Sequence, residues 1–276
     1  MDAFLPHERI LLAYFLYLAA LSLFKPVPAA GCAMLLAIPP LLAAALRWES
    51  VHSRPWSRTV RLWIPIPLLL AAYSALEWFA VPPIEPLQRR WLAWDNYLLL
   101  DLGLRAAVES LGPVLPFLIE SAYLLLYVLP FAAFALVTRA GDASAPPRFL
   151  RVLLAGTLCA YSLIPLVPVA SPRVEFPRHA PPSFEGFPRS LTTSLLDRLD
   201  IDTSVFPSGH VAVAASTVLA LHTVLRFRRR FVAAAAVYAA TVYLATIYGR
   251  YHYAADGAAS VLIVLACWSI FFRKTA

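Results

Sequence analysis

The sequence predicts an all-α fold, a polytopic transmembrane bundle of about eight helices with a core of six and both termini cytoplasmic. Three observations lead there. Hydrophobic residues make up 61% of the 276 and charged residues only 14%, where a soluble domain carries about 25% charged. Several apolar runs reach the roughly 17–25 residues that cross a bilayer as helix. The runs are continuous rather than alternating, which does not fit a transmembrane barrel.

The apolar runs put spans at 9–24, 30–47, 61–81, 114–138, 149–170, 209–226, 230–248 and 257–273. The first follows Glu8-Arg9 and lacks a small-residue cleavage site, so it reads as a span rather than a removed signal peptide. The second is the weakest, being short and interrupted by Pro39-Pro40. With both termini inside, the cytoplasmic segments hold fourteen basic residues, including Arg9, Arg47, Arg151, the cluster Arg226, Arg228, Arg229 and Arg230, and Arg273-Lys274. The outside segments hold nine. Positive residues favour the cytoplasmic side, so spans and charges agree. The net charge of +7 resides at helix ends and implies no nucleic-acid partner. Cys32, Cys159 and Cys267 lie within apolar runs and read as packing residues, with no disulfide framework or thiolate metal site.

Residues 82–113 lie outside in this map. Trp91–Tyr97 followed by Leu98–Leu104 reads as an amphipathic stretch at the interface, where tryptophan and tyrosine are favoured. Glu77 and Glu120 fall within spans, where a carboxylate costs about 2.5–3.5 kcal/mol, so each is expected to face the bundle interior and a polar partner. The external loop 171–207 is rich in proline, with room for a short helix at 190–199, and reads as a lid or side wall. The chain divides into 1–112, N-terminal spans plus the interfacial segment, and 113–276, a catalytic membrane domain carrying that loop.

The chemistry concentrates in three polar stretches. Pro207-Ser208-Gly209-His210 reads as a helix start, where free N–H groups and the dipole suit a phosphate. In Arg250-Tyr251-His252-Tyr253-Ala254-Ala255-Asp256, His252 and Asp256 are four apart and on a helix would share a face. A carboxylate beside an imidazole fixes its tautomer and stabilises its cation, as a nucleophilic histidine requires. Arg173 follows the fifth span, and an arginine can bind phosphate oxygens in pairs.

In order and content these stretches resemble the type 2 phosphatidic-acid phosphatase superfamily of membrane lipid phosphatases and phosphotransferases. Its motifs are K-x6-R-P, P-S-G-H and S-R-x5-H-x3-D. Pro207–His210 matches the second in full, His252 and Asp256 match the third, and Arg173 matches the arginine of the first. The lysine and proline of the first motif fall at Leu166 and Val174, and the serine-arginine of the third at Ala245-Thr246. Arg250, one helical turn after Thr246, is expected to replace the missing arginine. The Tyr161-x3-Pro165-x2-Pro168 run and Arg250-Tyr251-His252-Tyr253 are similar to the branch that includes inositol-phosphorylceramide synthases.

The resemblance implies that His252 attacks phosphorus and forms a phosphohistidine, that Asp256 orients it, and that His210 protonates the leaving oxygen. Arg173, Arg250, Ser208 and Gly209 would hold the non-bridging oxygens. It implies no cofactor and no metal, although His210, His252 and Asp256 could also be read as a metal triad. The implied reaction is hydrolysis of a lipid phosphate or diphosphate. The alternative is transfer of a phospho-headgroup to a lipid or alcohol acceptor. A transporter or channel is a third reading, motivated by Glu77, Glu120 and the arginines and opposed by three ordered motif pieces on one side. The partners implied are a membrane lipid and the bilayer. The alanine-, leucine- and arginine-rich composition points to a bacterial cell membrane, with the site facing the periplasm or exterior.

Overall fold

The computed structural model describes residues 4–52, 54, 56–140, 142–199, 201, 205–225 and 228–272. Arg226, Arg273 and Lys274, part of the charge argument, lie outside them. The described residues form helices and no strand. In order these are α1 Pro6–Ser22, α2 Ala29–Val51, α3 Ser57–Trp63, α4 Pro65–Ser74, α5 Glu85–Asn96, α6 Leu104–Glu109 and α7 Val114–Leu125. There follow α8 Leu129–Arg139, α9 Ala145–Leu163, α10 Pro172–Glu175, α11 Phe187–Leu199, α12 Gly209–Leu225, α13 Arg229–Tyr248 and α14 Ala254–Phe271.

Five stretches are long and apolar enough to cross a membrane: Ala29–Val51, Val114–Arg139, Ala145–Leu166, Arg229–Tyr248 and Ala254–Phe271. A sixth joins Ser57–Trp63 to Pro65–Phe79 across a 41° bend, at the point where Pro65 begins α4. The two remaining expected spans are helices of 17 residues, α1 and α12. α2 runs through Pro39 and Pro40 without a break, as membrane helices allow when neighbouring turns satisfy the freed carbonyls. α9 stops after Leu163 and a single 3₁₀ turn, because Pro165 and Pro168 cannot continue it.

α9 is the central helix, with 67% of its span enclosed against 22–39% for the others. α12 lies along it. At their crossing a Cβ on Gly156 would sit 2.4 Å from Ser216 Oγ, so the small residue sets the close approach. α1 and α14 flank α9, and α13 packs between α12 and α7. Leu18, Leu76, Phe134, Leu154 and Leu221 belong to one buried cluster that joins α1, the α4 segment, α8, α9 and α12.

α5, the segment after α9, the segment before α12 and the α13–α14 connection meet at one end. Trp91 and Leu92 of α5 pack on Val169, Val205 and Tyr253, while Trp94 and Tyr97 stay exposed. The short helix anticipated in the long loop is α11, which begins at Phe187 rather than Ser190. Its Arg189 pairs with Glu120 of α7 at 2.9 Å. Glu120 is buried and also accepts the Tyr251 hydroxyl at 2.6 Å, so its expected polar partners are present. Glu77 departs from the expected position. It is exposed, because it falls in the 3₁₀ turn Ala75–Phe79, which turns the side chain outward near the end of the span.

Candidate active site

The start of α12 is fixed by its own sequence. Ser208 Oγ accepts the Val211 N–H at 3.3 Å, which is the N-cap geometry. The Ser208 N–H donates to the Asp256 carbonyl at 3.2 Å, and the Ser208 carbonyl accepts Ser260 Oγ at 2.8 Å. The first turns of α12 and α14 are thereby pinned together. A Cβ on Gly209 would lie 3.0 Å from Tyr161 Cε1 and 3.3 Å from Tyr73 Cε2. Glycine is what lets both rings close over the helix start.

His252 does not share a helix with Asp256. α13 ends at Tyr248 and α14 begins at Ala254, and between them Arg250 takes a left-handed φ of 64°. Arg250 is therefore not on one helical face with Thr246 either. A helix cap, not a shared helical face, brings His252 and Asp256 together. Asp256, in the first turn of α14, accepts the Tyr253 N–H at 2.9 Å, and the same Oδ2 lies 3.5 Å from His252 Nδ1. The Val205 carbonyl lies 3.1 Å from that nitrogen. Both neighbours are acceptors, so Nδ1 carries the proton and Nε2 keeps its lone pair. His252 Nε2 is 3.2 Å from His210 Nδ1, which must then donate. His210 Nε2 is left to accept the Tyr127 hydroxyl at 3.1 Å. The tautomers are assigned from these partners. The Tyr123 ring lies 4.9 Å from that of His210 and 4.5 Å from that of Tyr251, centroid to centroid.

The two arginine segments meet through their backbones. The Arg173 N–H donates to the Arg250 carbonyl at 2.9 Å, and Ser171 Oγ reaches the Tyr251 carbonyl at 3.0 Å. Their guanidinium groups have separate partners. Arg173 Nη1 donates to Asp197 of α11 at 2.6 Å. Arg250 Nη1 donates to Asp95 of α5 at 3.0 Å, and both members of that pair are buried. Arg173 Nε and Arg250 Nε and Nη2 are buried without a hydrogen-bond partner, which leaves donors for an anion. Asp95 also accepts the Ala254 N–H at 3.0 Å, so one carboxylate holds Arg250 and the start of α14. Burial pushes the Asp95 carboxyl up to about 7, against the opposing pull of the Ala254 amide and the Arg250 charge. Burial also lowers Arg250.

An apolar cavity of about 220 Å³ reaches His210 and Gly209. Leu70 and Tyr73 of α4, Leu126, Phe131 of α8 and Val213 of α12 are among its walls, and Leu70 and Phe131 are exposed.

The structure thus links Ser208 to Asp256, Asp256 to His252 and His252 to His210, with Gly209 between Ser208 and His210 in the chain, and it joins Arg173 to Arg250 through their backbones. His210 and His252 face each other while Asp256 lies behind His252, so the three do not converge on one point. Among the described residues no group of three or more His, Cys, Asp or Glu could hold a metal ion. Sequence reasoning missed Asp95, Tyr127 and Ser260. Asp95 and Tyr127 are distant in the chain and carried no signal. Ser260 did carry one, since it continues the four-residue spacing from Asp256.

No curated protein and no solved structure matches the chain. The family model of the PAP2 superfamily matches residues 89–270, a range that runs from α5 with Asp95 to α14 with Asp256. By that match over more than half its length, the chain belongs to the PAP2 superfamily, a membership that supports a phosphatase or phosphotransferase type of function.

Proposed function

We propose that the protein is an integral-membrane phosphatase that hydrolyses a lipid phosphate or diphosphate through a phosphohistidine on His252. The observation that carries the lipid is the apolar cavity, which is lined by exposed apolar residues of α4 and α8 and reaches His210 and Gly209. A water-soluble phosphate ester would gain nothing from such walls. A lipid chain can enter such walls from the bilayer without leaving an apolar medium.

The steps follow from the tautomers. The substrate phosphate separates the two imidazoles and takes a place between them. His252 Nε2 attacks phosphorus as the bond to the lipid oxygen breaks, and His210, neutral in the resting site and protonated as the phosphate binds, gives that oxygen its proton. Asp256 and the Val205 carbonyl stabilise the charge that appears on His252. His210 then takes a proton from water, the resulting hydroxide attacks phosphorus, and the P–N bond breaks to release phosphate. Arg173 Nε, Arg250 Nε and Nη2, and the amide of Gly209 hold the non-bridging oxygens, the main contribution a protein makes to phosphoryl transfer. Ser208 acts by fixing the helix start. Domain 113–276 carries the reacting groups, with Asp95 and the α4 wall supplied by 1–112. The site faces the periplasm or exterior, by the charge bias of the connecting segments.

A phosphotransferase acting on a lipid or alcohol acceptor is the second reading. It is favoured by the burial of both histidines beneath α11, which is tied down by Arg189–Glu120 and Arg173–Asp197. The test is phosphate release in detergent, with chelator, from phosphatidic acid, phosphatidylglycerol phosphate and a polyprenyl diphosphate. Release that is lost in His252→Ala supports the phosphatase. New phosphodiesters in place of phosphate support the transferase, and neither product from any lipid contradicts both.

A further inference from the structure

A second lipid-sized groove lies on the other side of the molecule. Its floor is α9 and its walls are α1 and α14, and its volume is about 510 Å³, within the roughly 300–1,000 Å³ of ordinary ligand pockets. Arg9 and Arg151 line one end and Tyr17 and Ser162 the other. The candidate active site is built on the N-terminus of α14 and beyond the C-terminus of α9. The two arginines instead sit near the N-termini of α1 and α9, beside Phe271 and Phe272 at the end of α14. The groove therefore opens at the opposite membrane face. From Arg151 to Ser162 α9 rises about 16 Å, roughly half the ~30 Å hydrocarbon core, which is the depth of one leaflet.

We propose that this groove binds one anionic phospholipid of the leaflet opposite the histidines, with its phosphate at Arg9 and Arg151 and an acyl chain along α9. Charge complementarity selects the occupant. The Arg151 guanidinium lies 5.6 Å from the centre of the Phe272 ring, which holds it at the mouth. At the deep end the Tyr17 hydroxyl is spent on the Ser162 carbonyl at 2.7 Å, and Ala13, Leu158 and Cys159 offer a chain apolar contact. A zwitterionic headgroup would bring a quaternary ammonium towards two arginines. An anionic one brings none.

The probes are dioleoyl phosphatidylglycerol and dioleoyl phosphatidylcholine, added to the purified full chain in detergent and read by native mass spectrometry. Phosphatidylglycerol is a diester with no terminal phosphate, so its binding is separable from turnover. One molecule per chain is expected to bind at a concentration roughly tenfold or more below that needed for phosphatidylcholine. Arg9→Gln with Arg151→Gln removes that preference, Ala13→Trp blocks both lipids, and His252→Ala keeps the preference whatever becomes of catalysis. Equal binding of both lipids by the parent, or an intact preference in the arginine variant, overturns the proposal. So does a dimer that Ala13→Trp dissociates, because the groove would then be a contact between copies. Should the arginine variant fail to fold, Ala13→Trp decides alone: lipid loss supports the site, and unchanged binding overturns it.

Discussion

His252 is poised by what surrounds its other nitrogen. With Nδ1 facing Val205 and Asp256, the free lone pair is on Nε2, and the first group it meets is His210. Asp95 acts one step further out, through Arg250 and the start of α14. Its carboxyl, pushed up to about 7 by burial, is neutral below that pH and charged above it. The pair with Arg250 is complete only on the alkaline side. Turnover is therefore expected to rise as pH increases through about 7, and Asp95→Asn to abolish that limb of the pH–rate profile. The same variant should lose roughly ten- to hundredfold in kcat/KM, the worth of a hydrogen bond to a charged group. A profile identical to the parent's would remove Asp95 from the account. Ser208→Ala tests the cap separately. Loss of the bond to Val211 is expected to cost about 1 kcal/mol in thermal unfolding.

Among the elements, α11 is one whose packing involves charge. Arg189 reaches Glu120 and the Gly249 carbonyl and lies over the Tyr251 ring. Glu120 in turn accepts Tyr251. The helix is thus connected to the loop that carries His252. Removing one member of a buried pair costs about 3–5 kcal/mol, and the partial exposure of Arg189 puts this pair at the lower end. Glu120→Ala is expected to open 171–207 to limited proteolysis and to lower turnover. Unchanged cleavage and rate would mean that α11 is held by its apolar contacts instead. At the α9–α12 crossing, Gly156→Leu is expected to force the helices apart, because even a Cβ there meets Ser216. Loss of monodisperse protein in size-exclusion chromatography is the readout.

For the molecule as a whole, hydropathy sufficed for the helical bundle, and motif order sufficed to bring His210, His252 and Asp256 to one place. These features are local, since a helix start and a four-residue spacing are written within a few residues. What was not legible is non-local or conformational. The left-handed backbone at Arg250 breaks the helix on which the register argument relied. Asp95 is over 150 residues from the arginine it holds, and nothing near it in the sequence marks that pairing. Tyr127 reaches His210 only because α7 and α8 pack against α12. Glu77 was misplaced because a 3₁₀ turn rotates its side chain away from the direction an α-helix would give.

The central claim is that phosphorus passes through a covalent bond to His252. The direct measurement is to mix enzyme with a turned-over lipid substrate labelled in its terminal phosphate, denature within the first turnover, and follow the label on the protein. The account predicts labelled protein whose label survives alkali and is released by acid, as a P–N bond requires, and none on His252→Ala. Turnover by the parent with no label trapped at any quench time, or label persisting on His252→Ala, would contradict it.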